Sequence, residues 1–218
     1  MSSITAIGTA NPENRFTQGQ IADFMVKAMQ LNNQDTRRLR AIFNASGIDY
    51  RYSVLEDYKN NGAKTFYANT HDFEPFPSTS KRLKAFRDSA LHLSYRAVQD
   101  MLQRIPSFNL QKITHIIIVC CTGMYAPGLD IDLVKKLQLP TTVLRTSINF
   151  MGCYAAFNAF KIADAFCKVD EDAKVLIVCT ELFSLHFQKA PSEDNLISNA
   201  LFGDGAAAVL VEGNTNAS

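Results

Sequence analysis

The chain has 218 residues, of which 47% are hydrophobic and 20% charged, enough apolar material for a sizeable core. Twenty-two Lys and Arg stand against 21 Asp and Glu, so bulk charge directs the protein neither to nucleic acid nor to an anionic membrane. Five cysteines without zinc-type spacing, an N-terminus (M-S-S-I-T-A-I-G) without a signal-peptide pattern, and no apolar run near the ~18 residues of a membrane span predict a reduced, cytoplasmic protein holding no metal.

A short strand is expected over Ile4–Thr9. Thr17 caps a segment in which Ile21, Phe24, Met25, Ala28 and Met29 recur with helical period. Asp35–Phe43 predicts a short helix whose exposed face carries Arg37, Arg38 and Arg40. Residues 56–78, with Pro75 and Pro77, form an irregular excursion rather than a linker. The longest helix runs from about Ser80 to Arg104, with Leu83, Phe86, Ala90, Leu93, Ala97 and Met101 on one stripe.

Three β-branched and aliphatic runs follow: Thr114–Cys121, Thr141–Ser147 and Ala173–Glu181. The first and third are continuously apolar, the pattern of strands covered on both faces. Helices over Gly128–Leu137 and Cys153–Cys167 bridge them, which gives a right-handed parallel α/β layer. With a last strand over Ala206–Glu212, the expected fold is α/β: a five-stranded mixed sheet with helices on both faces, one domain over residues 1–218.

Chemistry concentrates at Cys153, in S-I-N-F-M-G-C-Y-A-A-F-N-A-F. Gly152 precedes it, and the segment that follows reads as too apolar for a surface helix. A Cys in the first turn of a helix meets backbone N–H groups and the positive end of the dipole, which favour the nucleophilic thiolate. A buried structural Cys is the commoner reading of this local spacing. A hydrolase nucleophile elbow does not fit, because it requires Gly two residues before and two after the nucleophile, where Met151 and Ala155 stand.

Five segments in order, I-T-A-I-G-T-A-N-P, I-T-H-I-I-I-V-C-C-T-G-M-Y-A-P-G, M-G-C-Y-A-A-F, V-L-I-V-C-T-E-L and A-L-F-G-D-G-A-A-A-V-L-V, resemble the N-terminal half of the chalcone/stilbene synthase-type (type III) polyketide synthases of the thiolase superfamily. The resemblance implies a layered thiolase-like half. It also implies an acyltransferase in which Cys153 accepts a starter acyl group from coenzyme A for decarboxylative Claisen condensation with malonyl-CoA. On the same basis Phe202, in L-F-G-D-G, matches the aromatic gatekeeper of the CoA tunnel, and Gly203-Asp204-Gly205 is also a tight turn feeding the last strand. Cys121, Thr122, Phe183 and His186 match cavity-lining positions, where Phe183 and His186 are bulkier than the family's threonines and would shrink the cavity. A lone His after a strand is more often a packing residue than an acid or base.

Arg38 matches a basic position that binds CoA phosphates, while Ala41 and Ala45 replace two others, which Arg37 and Arg40 could offset. A solvated basic helix face is the competing reading, and an acyl-carrier protein could present the acyl group instead of free CoA. The resemblance places the family's catalytic His and Asn in a C-terminal half, and none of His71, His92, His115 and His186 matches that His, so the chain is expected to be half an enzyme, inactive alone, whether truncated or split. No further cofactor is implied. The expected partner is a second copy in a homodimer, with Ala126 in place of a Met that reaches across in the family. The alternatives are a non-catalytic thiolase-like dimerisation or acyl-carrier-binding module, or a β-ketoacyl-ACP synthase III-like enzyme.

Overall fold

The computed structural model describes residues 2–59 and 64–213. The chain divides into two compact units.

The first unit comprises the described residues of Met1–Asn11, Leu83–Glu181 and Gly205–Ser218. Its strands are β1 (Ser2–Ala10), β4 (His115–Cys120), β5 (Leu144–Asn149), β6 (Lys174–Leu182) and β7 (Asp204–Gly213), in the order β1-β7-β6-β4-β5. β4 pairs parallel with both β5 and β6, and β1 pairs antiparallel with β7, so the sheet is mixed as expected. All six residues of β4 are buried, which accounts for its unbroken apolar run.

The alternating side chains of the central strands meet a helix on each face. Ile117 and Val119 of β4 and Val175 and Ile177 of β6 pack on α5 (Ala155–Val169) through Ala155, Ala159, Ala163 and Cys167. Those four recur every fourth residue, and their small size lets the helix backbone approach the sheet closely. On the other face lies α3 (Thr79–Gln103), whose Ser94 hydroxyl hydrogen-bonds Thr180 of β6 at 2.6 Å. Gly8 of β1 marks the closest approach. A Cβ there would lie 2.1 Å from the Met101 amide nitrogen and 2.4 Å from the Ala97 carbonyl oxygen of α3, so no larger residue fits without moving backbone. Between β4 and β5 runs α4 (Leu129–Lys136).

The second unit comprises the described residues of Pro12–Arg82 and Leu182–Asp204. β2 (Asn14–Thr17) and β3 (Tyr50–Ser53) pair antiparallel and enclose α1 (Gln18–Met29) and α2 (Asn33–Ala45) in sequence. Thr17 caps α1 with a complete capping box, its side chain receiving the Gln20 amide while the Gln20 side chain receives that of Thr17. Phe24 centres an aromatic core, stacked on Phe73 at 4.8 Å and edge-on to Tyr58 at 4.8 Å. Residues 64–78 are irregular, as expected, and are held by Asp57, whose carboxylate accepts the amides of Thr65, Phe66 and Tyr67. α6 (Glu193–Leu201) completes the unit.

Candidate active site

In the parallel sheet, the first unit brings its chemistry to the carboxyl ends of the strands, where open α/β sheets place their ligands. β5 ends at Asn149, opposite Cys120 of β4. The chain then turns sharply through Phe150, at φ 59°, and Gly152, at φ 64°. Left-handed backbone is costly for Phe150 and natural for Gly152, so the turn concentrates strain directly before Cys153. Cys153 itself lies in a single 3-10 turn, Gly152–Tyr154, that leads into α5, and its residue is exposed. This refines the expectation of a Cys within the first turn of a buried helix. Only the small-residue stripe of α5 is buried, while Phe157 is 62% and Tyr154 53% exposed.

Cys121 and Thr122 follow β4 and reach the same end of the sheet. The Cys121 thiol donates a weak hydrogen bond to the Gly152 carbonyl, with 3.9 Å between sulfur and oxygen. Both residues are fixed by a carboxylate that the sequence reading passed over. Glu181 of β6 accepts the Cys121 amide at 2.8 Å, the Thr122 amide at 3.0 Å and the Thr122 hydroxyl at 2.6 Å. A charged residue closing an otherwise apolar strand, V-L-I-V-C-T-E, was the available signal. Glu181 also acts on its neighbours. Burial, with Glu181 adding to it, pushes the Cys120 thiol up to about 12 and the Cys179 thiol up to about 11. The same strand ends, through Cys120, Ser147 and Asn149, line a cleft of about 240 Å³ with Phe86, Tyr125 and Asp130.

Of the histidines in this unit, His115 lies at the far end of the sheet from Cys153. His115 begins β4, roughly 17 Å of strand from Cys120. It stacks on Phe166 at 4.1 Å and hydrogen-bonds Thr114, while burial lowers its pKa. His92 lies on an exposed position of α3.

In the second unit, Phe183 and His186 occupy a 3-10 turn, Phe183–His186, and Phe202 follows α6. The structure brings Phe183 and Phe202 together, ring centroids 4.8 Å apart. The cavity they line with Arg51, Ser184 and Asn199 is only about 10 Å³, room for one water. Asp204 fastens the segment after Phe202, accepting the Val54 amide at 2.8 Å, the Ser184 amide at 2.7 Å and the Ser184 hydroxyl at 2.5 Å. Burial outweighs these hydrogen bonds and raises its pKa to about 6. Arg38 lies on the exposed face of α2, 3.7 Å from Glu193, and Arg40 is paired with Asp23 at 2.5 Å. Among the described residues no cluster of His, Cys, Asp and Glu could hold a metal ion, and no helix is long and apolar enough to cross a membrane.

A mixed five-stranded sheet between helical layers is the thiolase-like architecture. Residues 1–215 match the family model of the chalcone and stilbene synthases, N-terminal domain, and the chain belongs to that family. Among solved structures, it superposes on PKS-I from the brown alga Ectocarpus siliculosus with a TM-score of 0.89 at 29% identity, covering 100% of this chain and 57% of that one. The C-terminal type III polyketide synthase domain of Steely1, a type I/III hybrid from Dictyostelium, matches with a TM-score of 0.87 at 26% identity, covering 98% of this chain and 56% of that one. The chain thus spans a little over half the length of each.

Proposed function

We propose that this chain is the acyl-accepting half of a type III polyketide synthase, with Cys153 as the nucleophile that takes a starter acyl group from an acyl-CoA. The observation that carries the reading is the exposed Cys153 thiol on the Phe150–Gly152 turn, in a chain of this family. In the transfer, the Cys153 sulfur attacks the thioester carbonyl, the new S–C bond forms, and the CoA thiolate leaves with the proton that Cys153 gives up. The acyl-enzyme would then meet the carbanion released when malonyl-CoA loses carbon dioxide. CoA thioesters are the only small molecules this chemistry requires.

Phe202 is read as the gatekeeper, with Phe183 against it. The bulk of Phe183 and His186 at positions that match the family's cavity lining supports a small starter rather than an aromatic one. Arg38 is read as a contact for the CoA phosphates. Its Glu193 neighbour is 72% exposed and leaves it only weakly engaged.

The partner we propose is a second copy of the chain, paired through the exposed apolar side chains of Leu144 on β5 and Phe157 on α5. β5 is the last strand in the sheet order, so its outer edge is open among the described residues.

Incubation with short-chain and aromatic acyl-CoAs, followed by mass spectrometry, tests the assignment. The expected result is one acyl group per chain, located on Cys153 and absent from Cys153→Ser, with short acyl groups favoured. Acylation that persists in Cys153→Ser would overturn the assignment.

A further inference from the structure

We propose that Cys121 is the resolving cysteine of a reversible redox lock on Cys153, so that the two thiols close to a disulfide when the protein meets a hydroperoxide. The inference rests on the reading of Cys153 as the reactive thiol and adds a modification site to it.

Proximity carries the argument. Cys121 Sγ lies 3.9 Å from the carbonyl oxygen of Gly152, the residue directly before Cys153. A carbonyl oxygen is within about 3 Å of the next Cα, so Cys121 Sγ is within roughly 7 Å of the Cys153 Cα. Closure then requires rotation of both side chains about χ1 together with movement of the 3-10 turn that carries Cys153. The sheet holds the two segments there by different means. Cys121 is anchored through its amide to Glu181, and Cys153 follows a strand in fixed register with β4.

Exposure separates this pair from the other cysteines. Cys153 is exposed and Cys121 half-buried, whereas Cys120 and Cys167 are buried. Cys179 is half-buried but lies within β6, packed against the α5 core, and burial, with Glu181 adding to it, disfavours its thiolate.

The chemistry balances in two steps. The Cys153 sulfur attacks one oxygen of the hydroperoxide; the O–O bond breaks, a sulfenic acid forms, and water (or an alcohol from an organic hydroperoxide) leaves with the Cys153 proton. Cys121 sulfur then attacks the sulfenic sulfur; the S–S bond forms, the S–O bond breaks, and a second water departs with the Cys121 proton. Two thiols are oxidised and one hydroperoxide is reduced. A dithiol reverses the closure by exchange. In the open state Cys153 can accept an acyl group; in the closed state it cannot, yet it is shielded from irreversible oxidation to the sulfinic acid.

The test treats the full chain with hydrogen peroxide and maps its peptides with and without dithiothreitol. The expected product is an intramolecular Cys121–Cys153 link, lost in Cys121→Ser, where Cys153 sulfinic acid should rise several-fold. Equal over-oxidation of Cys153 in both proteins without a link would overturn the lock, as would a link only between the Cys153 residues of two chains. The wild-type map decides alone if the variant does not fold. Iodoacetamide labelling in parallel keeps the two readings apart. Preferential labelling of Cys153 with no link sinks the lock and leaves the nucleophile. No preference for Cys153 sinks the nucleophile, and a link in such a protein would retain the pairing but overturn the order of steps.

Discussion

At the scale of single residues, the cysteines differ in burial and in the carboxylates near them. Cys120, Cys167 and Cys179 have thiols raised by desolvation, which disfavours the form that reacts. Cys153 is exposed. Iodoacetamide at neutral pH should therefore alkylate Cys153 faster than these three by on the order of tenfold or more, measured by peptide mapping over time. Asp204 offers a second test. Its folded pKa of about 6 lies above the ordinary carboxylate value, so between those two values the folded chain holds a proton that the unfolded chain has released. Its contribution to stability is thus fully present below about pH 4 and is lost as pH rises through about 6. The full effect is on the order of 2–3 kcal/mol. Asp204→Asn, nearly isosteric, should remove this component. The difference in Tm between wild type and variant should change across that window and be flat above pH 7; a difference flat throughout would show that Asp204 does not titrate there.

At the scale of elements, legibility followed burial. β4 and β6 are covered on both faces, and their apolar runs placed them within a residue or so. β5 lies later than its composition suggested, at Leu144–Asn149 rather than Thr141–Ser147, because the chain after Pro140 closes a turn in which the Val143 amide meets the Pro140 carbonyl at 3.1 Å. The four-residue strands β2 and β3 are too short for any period to register. α6 was missed although Ser192 caps it and Glu193 and Asp194 load its first turn. In the candidate site, the turn before Cys153 was legible because Gly152, which takes φ 64°, is adjacent in sequence. Glu181 was not, since its hold on Cys121 and Thr122 spans about sixty residues and arises only from the pairing of β4 with β6.

The apolar excess around Cys153 also acquired a different meaning. It does not bury α5; it leaves a face on β5 and the start of α5 uncovered. Light scattering with size-exclusion chromatography should find the chain dimeric. Leu144→Glu with Phe157→Glu should weaken the dimer at least tenfold, because removing one such side chain from an interface costs about 1.5–3 kcal/mol. A monomeric wild type would remove β5 from consideration as the interface.

At the scale of the whole molecule, the proposed reading separates two stages of one reaction. Acyl capture asks for an accessible thiol, which Cys153 supplies. Decarboxylation of a malonyl thioester asks for more: donors to hold the developing enolate oxygen, and a group that keeps the nucleophile ionised between cycles. On the proposed reading, the resemblance implies a His and an Asn for these tasks. His115 cannot substitute, since it stands at the opposite end of β4, stacked on Phe166 with burial disfavouring its cationic form. The consequence is a dissociation of the two stages. With acyl-CoA the chain should release close to one equivalent of CoA per Cys153 and then stop. Addition of malonyl-CoA should yield neither carbon dioxide nor a condensation product above the uncatalysed rate. Release of carbon dioxide over several turnovers, abolished in Cys153→Ser, would show that groups within these 218 residues complete the cycle.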